Sequence, residues 1–163
     1  MAPRDVVANI ELELREAEQL NDYEAVNAFW LCLLKLANRI PGKNERHRMF
    51  ALVGRFREAD VGSVLSLPAV DTLLNLQPPL ESLLDLHEEG DLEDAKRELR
   101  AVRENRAKDP LAALLELGRI LKRIRNKREH GFKSPFVVRD AVILRAARSI
   151  LQRLCGTAVE AVR

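Results

Sequence analysis

The sequence predicts an all-α fold, a helical bundle of about five to seven helices with short ones among them. Three observations predict it. Leu, Ala, Glu and Arg dominate the 163 residues, and all are good helix formers. Apolar residues recur at the three-and-four spacing that places them on one side of a helix. Val and Ile never gather into the alternating runs that mark a strand. The length, 1–163, is that of a single domain able to bury a real core.

Each helix carries its own signature. The first is expected over about Pro3 to Leu20, and Asn21-Asp22 reads as a junction with Asp22 as the cap of the next. That second helix bears Ala25, Val26, Phe29, Trp30, Leu33, Leu34 and Leu36, a broad stripe that belongs in the core. Ile40-Pro41-Gly42 ends it. Asn44 can cap a third helix running to about Ala59, with Met49, Phe50, Val53 and Phe56 turned mostly inward. Pro68, Pro78 and Pro79 divide the stretch from Asp60 to Glu89 into short helical pieces. Gly90-Asp91 opens a strongly charged helix to about Lys108. Asp109 as cap and Pro110 at the first position then start a helix to about His130, where Gly131 can stop it. Its stripe is Leu111, Leu114, Leu115, Leu117, Leu121 and Ile124. The last helix is expected over about Val137 to Leu154, packing through Val138, Ala141, Val142, Leu144, Ala147, Ile150, Leu151 and Leu154.

Composition bounds the function. Net charge is only +2, so the protein is no polycation. The charge is unevenly spread, however. Glu81 to Asp94 holds seven acids and no Lys or Arg, whereas Arg119 to Lys133 holds seven Lys or Arg with Glu129 as the single acid. Such a local basic surface attracts phosphates whatever the total charge. Cys32 and Cys155 sit in apolar helical patterns without metal-ligand spacing, as expected of buried thiols in a reducing cytoplasm. The N-terminus is charged throughout, and no apolar run approaches the roughly 18 residues of a membrane span. A cytoplasmic protein with no membrane partner is expected.

The chemistry concentrates in Arg125-Asn126-Lys127-Arg128-Glu129-His130-Gly131. A guanidinium can hold phosphate oxygens as a bidentate fork. An imidazole in the last turn of a helix can titrate near neutrality and move a proton. Five residues turn a regular helix through about 500°, so Arg125 and His130 point about 140° apart. Asn126 and His130, four apart, share a face. Either the helix end distorts, or a second copy of the helix completes the site. RNA cleavage by its own 2′-hydroxyl needs only a base, an acid and a cation beside the phosphorane. His130 can be the base or the acid, Arg125 the cation, and Asn126 can orient the histidine or hold a phosphate oxygen. No metal or other cofactor is called for, and no carboxylate cluster in the sequence is suited to hold one. Arg119, Lys122, Arg123, Lys127, Arg128 and Lys133 would form the surrounding RNA-binding surface.

The segment from Ile124 to Gly131 resembles the R-(polar)-x3-H signature of HEPN domains, with a hydrophobic residue before it and glycine after. Lys133, Arg139-Asp140 and the run from Ala147 to Leu154 continue the likeness, and Ala28-Phe29-Trp30 is similar to the aromatic helix of the Apea-like branch. The resemblance implies an all-α bundle that dimerises with its motifs facing each other. It also implies a metal-independent endoribonuclease of defence or toxin–antitoxin type, with Arg125 and His130 as the catalytic pair and Asn126 as the accessory polar residue. Its partners would be RNA, a second copy and an antitoxin or other protein. Some members of the family are non-catalytic, so a module that binds RNA, nucleotide or protein is the alternative, and a helical interaction protein with no nucleic-acid role stands behind it.

The remaining chemistry-bearing residues have plainer readings. His47, within Glu45-Arg46-His47-Arg48, reads as a surface side chain. His87 lies in an acidic solvated segment without a second histidine or cysteine at ligand spacing. Phe132 either stacks on a base or packs against the final helix.

Overall fold

The computed structural model describes residues 3–77, 79–80, 89–129 and 138–163. Among them are eight helices and no strand: α1 (Pro3–Ala17), α2 (Asp22–Ala37), α3 (Glu45–Val53), α4 (Glu58–Leu65), α5 (Pro68–Leu74), α6 (Glu89–Lys108), α7 (Pro110–Glu129) and α8 (Val138–Val162). The all-α expectation holds, with one helix more than the upper end of the expected range.

The extra helix arises where Asn44 to Ala59 was expected as a single element. Asn44 does cap α3, accepting from the His47 amide at 3.0 Å. The helix then tightens at Gly54, as Arg55 and Phe56 donate to Leu52 and Val53, three residues back. Arg57 turns extended (φ −69°, ψ 147°) and α4 begins afresh. Pro68 starts α5 in the same way, holding Leu67 extended before it (φ −61°, ψ 136°). At the first junction the cap is Asn21 and not Asp22: the Asn21 side chain accepts from the Glu24 amide at 2.9 Å. Asp109 caps α7 as its sequence suggests, 3.2 Å from the Ala112 amide. Such caps each contribute about 1 kcal/mol.

The long α8 lies against α2 as the central pair of the bundle. α6 and α7 fold back on each other through Asp109, and α1 flanks α2. Phe29 and Leu36 of α2, Leu117, Ile120, Leu121 and Ile124 of α7, and Ile143, Leu144, Ile150 and Leu151 of α8 are all buried. Each such side chain contributes about 1.5–3 kcal/mol by leaving water. α8 continues past Leu154 to Val162, because Cys155, Ala158 and Val159 keep a buried face available to it. Three expected core residues lie outside: Phe50 is 59% exposed, and Leu111 and Val142 are each 39% exposed. On α8 the neighbouring Ile143 and Ala146 take the inward positions.

Arginines hold the short helices in place. Arg106 on α6 donates to the Leu65 carbonyl at the end of α4 (3.0 and 2.6 Å), and Arg103 to the Leu74 carbonyl at the end of α5 (2.6 Å). Arg148 on α8 binds the Glu18 and Leu20 carbonyls beyond α1 and the Asp22 carboxylate opening α2. Helix C-termini leave carbonyls without intrahelical partners, and a guanidinium satisfies several at once. No helix among the described residues is long and apolar enough to cross a membrane.

Candidate functional site

α7 carries most of the residues singled out in the sequence. Its buried stripe runs through Leu114, Leu117, Leu121 and Ile124, which locks the helix against the bundle up to the residue before Arg125. Arg125 and Asn126 then stand half-buried at the base of the last turn. The Arg125 Nε donates to Asn27 Oδ1 of α2 at 3.0 Å, and one terminal nitrogen donates to Asn126 Oδ1 at 3.2 Å. The neighbouring amide thus binds the guanidinium itself, and a second amide from a distant helix fixes its direction. Asn27 belongs to this candidate cluster by its contact with Arg125, and sequence reasoning missed it. Its one signal was a polar residue inside the apolar pattern from Ala25 to Trp30.

Three other cations of the basic stretch, Arg119, Lys122 and Arg123, face acids of the same chain. Arg123 makes a two-pronged bond to Glu98 on α6, with Nε to Oε2 at 2.8 Å and a terminal nitrogen to Oε1 at 3.1 Å. Asp91 stands 3.8 Å from it as well. Glu98 is only 3% exposed, and its hydrogen bonds raise the Arg123 guanidinium above its ordinary value. Arg119 bonds Glu116 at 2.7 Å, one turn earlier on α7, and Lys122 lies 3.8 Å from Glu45 at the start of α3. The run of like charge in the sequence is therefore, over Arg119 to Arg123, a set of intramolecular pairs.

Lys127 and Arg128 belong to α7 by their backbone, but their side chains, like His130, Gly131, Phe132 and Lys133 altogether, lie outside the described residues. His87 does too, while His47 is exposed in the first turn of α3. Among the described residues no three His, Cys, Asp or Glu side chains gather as metal ligands. Both cysteines are buried and unpaired by disulfide. Burial, and then the Glu13 carboxylate, push the Cys32 thiol up to about 11; burial pushes Cys155 well above the ordinary thiol range. Neither has the lowered pKa of a nucleophilic cysteine.

A second feature lies beside this set. A cavity of about 440 Å³ opens between α2, α3, α6 and α7, with Trp30, Leu33, Met49, Val53 and Leu114 among its walls. Compared with protein-family models, with curated proteins and with solved structures, the chain matches none of them.

Proposed function

We propose that the chain is a metal-independent endoribonuclease of the HEPN type, working as a homodimer in which Arg125, Asn126 and His130 form a composite site. The observation that carries the reading is the fixing of Arg125 by Asn126 and Asn27 at the end of α7. A guanidinium held in one direction is preorganised to meet phosphate oxygens, and preorganisation is where electrostatic catalysis gains most. The motif resemblance over Ile124 to Gly131 supplies the imidazole.

In this mechanism one imidazole takes the proton from the 2′-hydroxyl as the 2′-oxygen attacks phosphorus. Arg125 stabilises the charge on the equatorial oxygens. The P–O5′ bond breaks, and the 5′-oxygen leaves with a proton from a second acid. The products are a 2′,3′-cyclic phosphate and a free 5′-hydroxyl. A composite dimer site provides two imidazoles, one from each copy, so that base and acid can be different residues. The 140° separation of Arg125 and His130 on one helix is also relieved if each copy lends its histidine to the other. An antitoxin-type protein partner belongs to the same reading.

The test is cleavage of total RNA in the presence of a chelator. Arg125→Ala and His130→Ala should each lose on the order of a hundredfold or more in rate, while His47→Ala keeps it. Equal rates in all four proteins would sink the proposal. Light scattering at micromolar concentration should show a dimer, and a monomer alone would count against the composite site.

A second reading, a non-catalytic binding module, is favoured by the apolar cavity, which has the size of a ligand site and no role in cleavage. Wild-type protein that binds RNA or another ligand but never cuts RNA would select it.

A further inference from the structure

The cavity between α2, α3, α6 and α7 has walls and a mouth of different chemistry. Trp30, Leu33, Met49, Val53, Phe56 and Leu114 make the walls apolar. Four cations, Arg46, Arg97, Arg119 and Lys122, also line it, against two carboxylates, Glu45 and Glu98. Glu98 is already held by Arg123, Arg97 by Asp94 and Arg119 by Glu116, which leaves Arg46 and Lys122 at the opening against Glu45 alone. Among the described residues Arg46 has no ion-pair or hydrogen-bond partner, and Lys122 has only the long 3.8 Å approach to Glu45. Phe50, 59% exposed, extends the apolar wall outward at the same place.

Gly118 is a second and independent indication. It sits inside the 20-residue α7, where alanine would be the better helix former. A Cβ built there would meet nothing within 4 Å, so packing does not demand glycine. Gly62 and Gly156 are equally open, but neither lines this cavity. At Gly118 the missing side chain is space added to the pocket.

We propose that this cavity binds a small amphiphilic carboxylate, with its hydrocarbon body between Trp30 and Leu114 and its anionic head at Arg46 and Lys122. The volume of about 440 Å³ falls within the range of small-molecule sites, roughly 300–1,000 Å³. The excess of cations at an otherwise apolar mouth selects the sign of the head group.

The experiment is calorimetric titration of the full chain with decanoate below its micelle concentration, beside decylammonium as the cation of the same body. Decanoate should bind one to one, and decylammonium should not. Gly118→Leu should abolish binding, since its side chain fills the cavity without meeting another atom at Cβ. Arg46→Glu should weaken it about tenfold; an acid in the first turn of α3 suits the helix, so the fold is kept. No binding of decanoate, equal binding of decylammonium, or undiminished binding to Gly118→Leu would each overturn the proposal. Should Gly118→Leu fail to fold, the head-group comparison and Arg46→Glu decide by themselves. A dimer that dissociates in Gly118→Leu while decanoate never binds would assign the cavity to a second copy instead. None of these readouts uses RNA, so they stand apart from the ribonuclease reading.

Discussion

Within one turn of α7 two arginines meet different neighbours. Arg123 points to the α6 side and grips the buried carboxylate of Glu98 with two hydrogen bonds. Arg125 points to the α2 side, where the amide oxygens of Asn27 and Asn126 accept from it. A carboxylate both orients a guanidinium and neutralises it. An amide oxygen orients it without cancelling charge. The first arrangement suits a structural strut between helices. The second fixes the direction of a guanidinium through neutral groups. In the sequence only the motif that begins at Arg125 separates the two arginines; the structure adds that one is held by a buried carboxylate and the other is oriented by amide oxygens.

The largest effect expected from breaking this contrast is on the structural side. Arg123→Met leaves the Glu98 carboxylate, 3% exposed, without its counter-ion, and should cost about 3–5 kcal/mol in denaturant unfolding. Adding Glu98→Gln should recover a good part of that loss, because the double variant no longer buries a lone charge. A single-variant cost under about 1 kcal/mol would show that the pair behaves like a surface bridge.

Next in size is the conversion of one arrangement into the other. Asn27→Asp puts a carboxylate where Arg125 now meets an amide. Stability should change by no more than about 1 kcal/mol, since an ion pair replaces a hydrogen bond. RNA cleavage should fall about tenfold, because a carboxylate at position 27 then competes with phosphate for the guanidinium. Cleavage equal to wild type in Asn27→Asp would remove Asn27 from the positioning of Arg125.

The sequence disclosed the scaffold of this contrast better than the contrast itself. Asp109-Pro110 and Asn44 are caps by their own chemistry, readable without knowing what lies near them. The proline boundaries read equally well, because a proline constrains its own residue and the one before. Other features depended on distant residues. Arg123 and Glu98 are 25 positions apart, and Arg125 and Asn27 are 98 apart. Local pattern shows seven cations gathered near the end of α7, but not that Arg119, Lys122 and Arg123 each have an acid in reach. The break between α3 and α4 was hidden because Gly54 ends its helix with ordinary right-handed geometry (φ −62°, ψ −17°) and without a proline. Phe50 was placed inward by its period, yet α3 has only a short buried face, Leu52 and Val53, and leaves it outside.

A smaller effect concerns charge that burial forbids. Cys32 lies near the Glu13 carboxylate in the α1–α2 interface, and its thiol is pushed up to about 11. The ordinary thiol value is about 8.5. The folded form therefore holds its proton longer than the unfolded form does. The resulting stability is fully present below about pH 8.5 and is lost as pH rises toward 11. Melting temperature should fall across that window, and Cys32→Ala should flatten part of the fall. At pH 8 neither thiol of the native protein should react readily with a thiol reagent, and both should react once the chain is unfolded.

The smallest expected effect sets Arg123–Glu98 beside the same kind of pair at the surface. Arg106 holds Asp71 at 2.6 Å, but Asp71 is exposed and Arg106 also binds the Leu65 carbonyl. Hydrogen bonding from Arg106 lowers the Asp71 carboxyl below its ordinary value. The sign is the reverse of the thiol's. The contribution is present above the unfolded value, about 3.9, and is lost as pH falls through the lowered one. Asp71→Asn should reduce stability at neutral pH by less than any substitution above, because water screens the pair. Wild type and Asp71→Asn should then converge in melting temperature as the pH is taken below about 4. A gap that persists under acid would mean that Asp71 acts through packing, and that an acid-held arginine needs no burial to become a structural strut.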